Sequence, residues 1–249
     1  MNLNVYRLES QSEFLKLWRM PSFSLPSILF PVFFYLLFGI AMGGSRAAGS
    51  TTIATYLMAS YGCFGLLGTC MFGFGASLAI EREQGWLTLK RTTPMPPSSL
   101  FVAKTVMAML FGLIILLLLV ACGLLSGAVH LTADQWVRFF AISLFSVFPF
   151  SVIGLCLGFS VGGKAAPAIA NLIYLPLSFA SGLWFPIEMM PGFFKKLAPA
   201  LPPFHLNQLL LGSFGSGDGK TLQHLLFLLV FTLLGYGLVS VLYRRSQAN

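Results

Sequence analysis

Six stretches of this chain run without one charged side chain, and each is longer than twenty residues: 20–45, 47–80, 105–133, 139–163, 165–187 and 221–243. A helix needs about 20 consecutive apolar residues to cross the hydrocarbon of a bilayer. The pattern therefore predicts six membrane spans. A hydrophobic content of 57% and a mean hydropathy of +0.84 exceed the roughly 45–50% apolar usage of soluble domains. The fold class predicted is an all-α membrane protein, a single transmembrane domain over 1–249. A seventh uncharged run, 197–217, carries Pro199, Pro202, Pro203 and three glycines. Its backbone cannot satisfy itself in lipid as one helix, so it reads as part of an external loop.

The charges sit at span ends. With six spans both termini share one side. That side collects Arg7, Lys16, Arg19, Arg82, Lys90, Arg91, Lys104, Lys164, Arg244 and Arg245; the other holds Arg46, Arg138, Lys195, Lys196 and Lys220. Ten against five places both termini in the cytoplasm by the positive-inside rule. The same scatter explains the net charge of +8 without a nucleic-acid-binding face. Residues 1–20 read as an interfacial amphipathic helix, with Glu9, Glu13 and Lys16 on one stripe and Leu8, Phe14, Leu15 and Trp18 opposite. They do not read as a signal peptide, because charges interrupt them.

One short segment breaks the apolar pattern. Glu81, Arg82, Glu83, Lys90 and Arg91 put five charges into eleven positions of a chain that is 9% charged. Thr93-Pro94, Pro96 and Pro97 stop any helix begun at Glu81, and Ser98 or Ser99 can cap the next one. Trp86, Leu87 and Leu89 give the segment an apolar side suited to a partner's groove or to the lipid interface. A plain charged loop that only sets orientation is the alternative reading of the charges.

Glu-Arg-Glu-x-Gly followed by Thr-Pro resembles the coupling segment of the type-2 ABC exporter permeases. Glu81, Glu83, Gly85, Thr93 and Pro94 match, whereas Trp86 stands where the family more often has Thr, and Lys90 and Arg91 add charge. A second region carries the resemblance: Ser181-Gly182, Phe185-Pro186, Met190-Pro191, then Pro202-Pro203 with His205. The resemblance covers essentially the whole chain. It implies a coupling segment at 80–99, with Glu81, Arg82, Glu83, Gly85, Trp86, Leu87, Thr93 and Pro94 docking on a separate ATPase subunit. It implies an external re-entrant helical hairpin at 186–219, with Phe185, Pro186, Pro191, Pro203 and His205 as an external gate. It also implies a bacterial inner-membrane exporter built as a dimer of permeases, a homodimer or a heterodimer.

No cofactor is expected in this chain, since ATP and Mg would be bound by the partner ATPase. Two phosphate-loop lookalikes fail. Gly158 to Lys164 has Ala165 in place of the metal-binding hydroxyl, and Gly217-Asp218-Gly219-Lys220-Thr221 has Phe214 where the first glycine belongs. Cys63, Cys70, Cys122 and Cys156 lie in apolar runs with no metal or disulfide spacing. Gly39 with Gly43, Gly123 with Gly127, and Gly154, Gly158 and Gly162 permit close helix packing, mostly within the chain. Tyr61, Thr69, Asn171, Tyr174 and Ser178 are the intramembrane polar residues that can line a path; bonding between spans is the plainer use of each.

A membrane-embedded enzyme would need paired carboxylates, a metal cluster or a nucleophile with its base, and a secondary transporter inverted repeats or intramembrane charge. The sequence displays none of these. Short external loops and the lack of a carbohydrate-binding domain lean toward a drug-like or lipid-like compound; polysaccharide or ion export by the same architecture stays open.

Overall fold

A computed structural model describes residues 3–48, 51–92, 95–96 and 98–248. Its framework is helical. In order it comprises α1 (Leu3–Trp18), α2 (Pro21–Phe34), α3 (Ile53–Thr69), α4 (Ser77–Glu83), α5 (Trp86–Arg91), α6 (Ser98–Leu125), α7 (Ala133–Phe145), α8 (Val147–Ser160), α9 (Ala166–Ala180), α10 (Gly192–Leu197), α11 (Pro202–Ser213) and α12 (Thr221–Ala248). Wider π-helical turns extend α2 through Tyr35–Gly43 and join α3 to α4 through Cys70–Ala76. A two-residue β-pair, Ala47–Ala48 with Thr51–Thr52, closes the α2–α3 turn.

Five helices among the described residues are long and apolar enough to cross a membrane: Pro21–Gly43, Ile53–Glu83, Ser98–Leu125, Ala133–Ser160 and Thr221–Ser246. The sequence predicts six spans, and the difference lies at α9. Its 15 residues rise about 22 Å, short of a hydrocarbon core of about 30 Å. The uncharged run continues to residue 187, but the helix stops at Ala180 and Gly182 turns at φ +74°.

Local chemistry explains most boundaries. The Thr52 side chain caps α3 by accepting from the Thr55 amide at 3.2 Å. Thr132 and Gln135 form a reciprocal capping box on α7. Pro149 has no N–H to offer the Phe145 carbonyl, which is where α7 gives way to α8. Pro202 and Pro203 begin α11 rather than break it, because first-turn amides need no helical partner.

The centre of the bundle is the rod from α3 to α4, most of which is buried. The tightest crossing sets its π-helical turn against α8. A Cβ at Gly154 would stand 2.4 Å from the Cys70 carbonyl oxygen, so only glycine lets these backbones meet. This close approach is within the chain, as the glycine spacing predicts. The region after α9 folds into a short 3-10 turn at Ile187–Met189, then α10 and α11, and α11 packs among α3, α7 and α12. Two helices thus replace the one continuous span that the prolines forbid.

Candidate functional site

Three consecutive residues at the end of α4 reach three different parts of the bundle. Glu81 is buried, and its Oε1 accepts from Lys104 Nζ of α6 at 3.0 Å, from Ser77 Oγ at 2.9 Å and from Lys16 Nζ of α1. Arg82 donates through Nη2 to the Val161 carbonyl at 2.8 Å and through Nη1 to that of Phe159, closing the C-terminus of α8. Glu83 Oε2 accepts from the Lys164 amide at 3.2 Å, just before α9. These side chains, predicted to dock a partner, are engaged inside the chain.

Glu81 belongs to a larger network. Glu13 of α1, 3% exposed, accepts from Lys104 and Lys16 at 3.0 Å each and from Lys90 of α5 at 3.2 Å; Lys90 also reaches Glu9. Three carboxylates, Glu9, Glu13 and Glu81, thus meet three ammonium groups, Lys16, Lys90 and Lys104. Burial pushes the Glu13 carboxyl up, but Lys104, Lys16 and Lys90 outweigh it and hold it down to about 2. Burial likewise lowers Lys16 and Lys90 less than their carboxylate partners raise them. The charged stripe of α1 therefore faces inward. Leu8, Leu15 and Trp18 point outward, and Phe14 packs on Phe111 at a ring separation of 5.2 Å.

Sequence reasoning did not assemble this network. Its one visible signal is the spacing of Glu9, Glu13 and Lys16 on a helix face; the unexposed Lys104 lies at the edge of an apolar run and reads only as a topology marker.

Gly85, at φ +78°, breaks the rod. No atom lies within 4 Å of a Cβ placed there, so the residue serves backbone conformation rather than close packing. The six-residue α5 follows. Trp86 is 51% exposed and Leu89 57%, while Leu87 is half-buried against the core. Thr93 and Pro94 lie outside the described residues.

Beside this segment opens a cavity of about 1000 Å³ between α1, α2 and α9, lined in part by Glu13, Lys16, Phe23, Phe30, Phe72, Glu81, Trp86, Asn171 and Tyr174. Of the five polar residues proposed for a path, Asn171 and Tyr174 line it. Tyr61 donates to the Trp184 carbonyl at 3.5 Å, Thr69 to Gly65 of its own helix at 2.9 Å, and Ser178 bridges the Leu175 carbonyl and the Trp184 indole at 2.8 and 3.0 Å.

At the opposite end, Phe185 is partly exposed and meets Phe38 edge-on at 5.8 Å. Pro186 starts the 3-10 turn and Pro191 starts α10, whereas Pro203 and His205 are buried in α11.

Helices of spanning length, a charged end anchored to a central rod and a proline-punctuated region before the last helix define a multi-pass membrane transport subunit. Among the described residues no cluster of metal-ligating side chains exists. The chain belongs to the ABC-2 type transporter family, which matches residues 6–214. It is 26% identical over 98% of its length to YvfS of Bacillus subtilis (strain 168), a transport permease by name, covering 99% of that protein. Two proteins with the transport permease name ycf38 are also similar. That of Pyropia yezoensis is 25% identical over 76% of this chain and 66% of its own, and that of Porphyra purpurea 27% over 77% and 67%. Family membership makes this chain a membrane-spanning permease of an ABC transporter, a class that associates with an ABC ATPase subunit.

Proposed function

We propose that the chain forms the substrate path of an ATP-driven exporter and is coupled to its ATPase through residues 80–99. The carrying observation is the contrast within that segment. Glu81, Arg82 and Glu83 are tied to α1, α6, α8 and the start of α9, while Trp86 and Leu89 stand exposed on a helix too short to bury them. An exposed aromatic anchor on a rigidly rooted helix suits a groove on a partner, and movement of that helix would pass through residues 81–83 into the bundle. Arg91 and the cluster around it suit the cytoplasmic side, as does the basic asymmetry, so both termini are cytoplasmic and α9 with the following turn completes a sixth crossing. α1 lies in the inner interface, residues 186–219 form an external re-entrant gate, and two copies assemble in the inner membrane of a bacterium.

The cavity supports the substrate reading. Phe23, Phe30, Phe72 and Tyr174 furnish an apolar wall, and Asn171 with the Glu13–Lys16–Glu81 group a polar end, which suits a drug-like or lipid-like amphipath. The decisive experiment reconstitutes the chain with its co-expressed ATPase subunit in vesicles. Trp86→Ala is expected to insert and fold normally but to lose most ATPase co-purification and ATP-driven transport. Full assembly and transport by that variant would reduce the segment to an orienting loop.

A further inference from the structure

α11 is joined to the head of α12 by a pair of imidazoles, of which the transport reading names His205 alone and gives it no partner. His205 Nε2 lies 2.8 Å from the Pro199 carbonyl oxygen, His205 Nδ1 lies 2.7 Å from His224 Nδ1, and His224 Nε2 lies 2.9 Å from Asp218 Oδ1. Both rings are buried, and His205 stacks on Phe227 with ring centres 3.8 Å apart.

Proton counting fixes what this geometry needs. A carbonyl oxygen only accepts, so His205 Nε2 carries hydrogen; an ionised Asp218 only accepts, so His224 Nε2 carries hydrogen. The Nδ1–Nδ1 contact takes one hydrogen between the two nitrogens. Three protons on four ring nitrogens satisfy every bond, giving one imidazolium that balances Asp218. With two protons one contact goes unmade. With four, two N–H groups face each other at 2.7 Å, and the joint cannot stay closed.

We infer that His205 and His224 form a shared-proton site, a latch that holds α11 to α12 with three ring protons and releases it on uptake of a fourth. Its ligand is the proton of the compartment facing that end of the bundle.

The surroundings leave the pair in control. The electrostatic partners of His205 are His224 and Asp218, and Asp218 is also acted on by Lys220. Of the elements packed on α11, α3 contributes Tyr56, Tyr61 and Cys63, of which Cys63 donates to the Pro203 carbonyl at 3.7 Å. α8 contributes Cys156, and α7 contributes Asp134 and Arg138, paired with each other at 2.8 Å on an exposed face. α12 carries Tyr236, Tyr243, Arg244 and Arg245 toward its other end. Burial lowers the His205 imidazole, the Pro199 carbonyl opposes this, His224 lowers it further, and Asp218 raises it without reversing the direction. A lowered folded-state value means that the open form binds the extra proton first. Closure is therefore lost as pH falls below the free-imidazole value of about 6.5, by up to about tenfold per pH unit for one proton.

The test uses full-length protein in lipid nanodiscs with ¹⁵N-labelled histidine. His130 is the only other histidine, so His130→Gln assigns the spectrum. At neutral pH the pair is expected to show three protonated nitrogens and one bare Nδ1, and on acidification the signals of the two rings should change in one shared step. Hydrogen exchange of the α11 amides, corrected for intrinsic rate, should accelerate over the same range. His224→Gln keeps donors and acceptors for Asp218 and His205 but takes no proton itself, so the face-to-face N–H clash is removed and its α11 exchange should respond to pH less steeply than the wild type. Independent titration of the two rings at the free-imidazole value, or a wild-type pH response in His224→Gln, overturns the latch. Should that variant not fold, the ring spectra of the wild type decide alone.

Discussion

Lys104→Met is the sharpest probe of the charged end. Lys104 has no exposed surface, and its Nζ lies 3.0 Å from both Glu13 and Glu81. Methionine keeps the length and apolar stem of the side chain, so the change removes charge with little change of volume. Breaking a buried ion pair by deleting one partner costs about 3–5 kcal/mol, because the remaining charge is left uncompensated. Here Glu13 keeps Lys16 and Lys90, and Glu81 keeps Lys16, which places the loss near the lower figure, about 3 kcal/mol. At roughly 2–4 °C per kcal/mol for a chain of this size, the melting temperature should drop by roughly 6–12 °C. The assay is thermal unfolding in detergent followed by tryptophan fluorescence. Adding Glu81→Gln restores equal numbers of carboxylates and ammonium groups and should recover a good part of the loss. A single variant that melts with the wild type, or a double variant less stable than the single, refutes the view that charge balance holds α1, α4 and α6 together.

Other outcomes follow from particular residues. Glu13 titrates near 2 in the folded chain against an ordinary 4.5, so the stability it contributes is complete above about 4.5 and fades as pH falls toward 2; Glu13→Gln should flatten that limb of a melting-temperature profile. Gly154→Ala forces a methyl against the Cys70 carbonyl and should lower stability by about 1–3 kcal/mol, read as a fall in folded yield and melting temperature. Gly85→Ala must hold φ +78° without glycine's freedom; it should cost about 1 kcal/mol and reduce ATPase co-purification more than it reduces folded yield. Reporter fusions after Asn249 and after Ser45 should signal inside and outside respectively, and an outside signal at Asn249 contradicts the proposed topology.

Spans, their order and the polar interruption at 81–91 were legible in the sequence because lipid imposes a one-dimensional rule: charge cannot enter, and a run of sufficient length must cross. Pro199, Pro202 and Pro203 announced correctly that 197–217 is not one helix. That rule weakens where helix length and uncharged length part company, as at α9, since Ser181 to Ile187 is uncharged yet folds as turn. Contacts across the bundle were not legible. Glu13 and Lys104 are 91 residues apart in sequence, and each alone resembles an ordinary headgroup-facing charge. His205 and His224 are 19 residues apart in sequence and share no motif; they meet only because the turn after α11 folds α12 back along it.

Residues 81, 82 and 83 contact different neighbours because consecutive positions on a helix point about 100° apart. That divergence fixes the reading frame of the rod more strictly than its composition does. A one-residue insertion or deletion between Ile53 and Ile80 would leave the rod apolar and long enough to cross a bilayer, yet would turn all three anchors together by a little over a quarter of a turn. Glu81 would leave Lys16 and Lys104, Arg82 would leave the end of α8, and Glu83 would leave Lys164. The rod should therefore tolerate the exchange of one side chain for another more readily than a change of length, which the turns at either end of it can absorb.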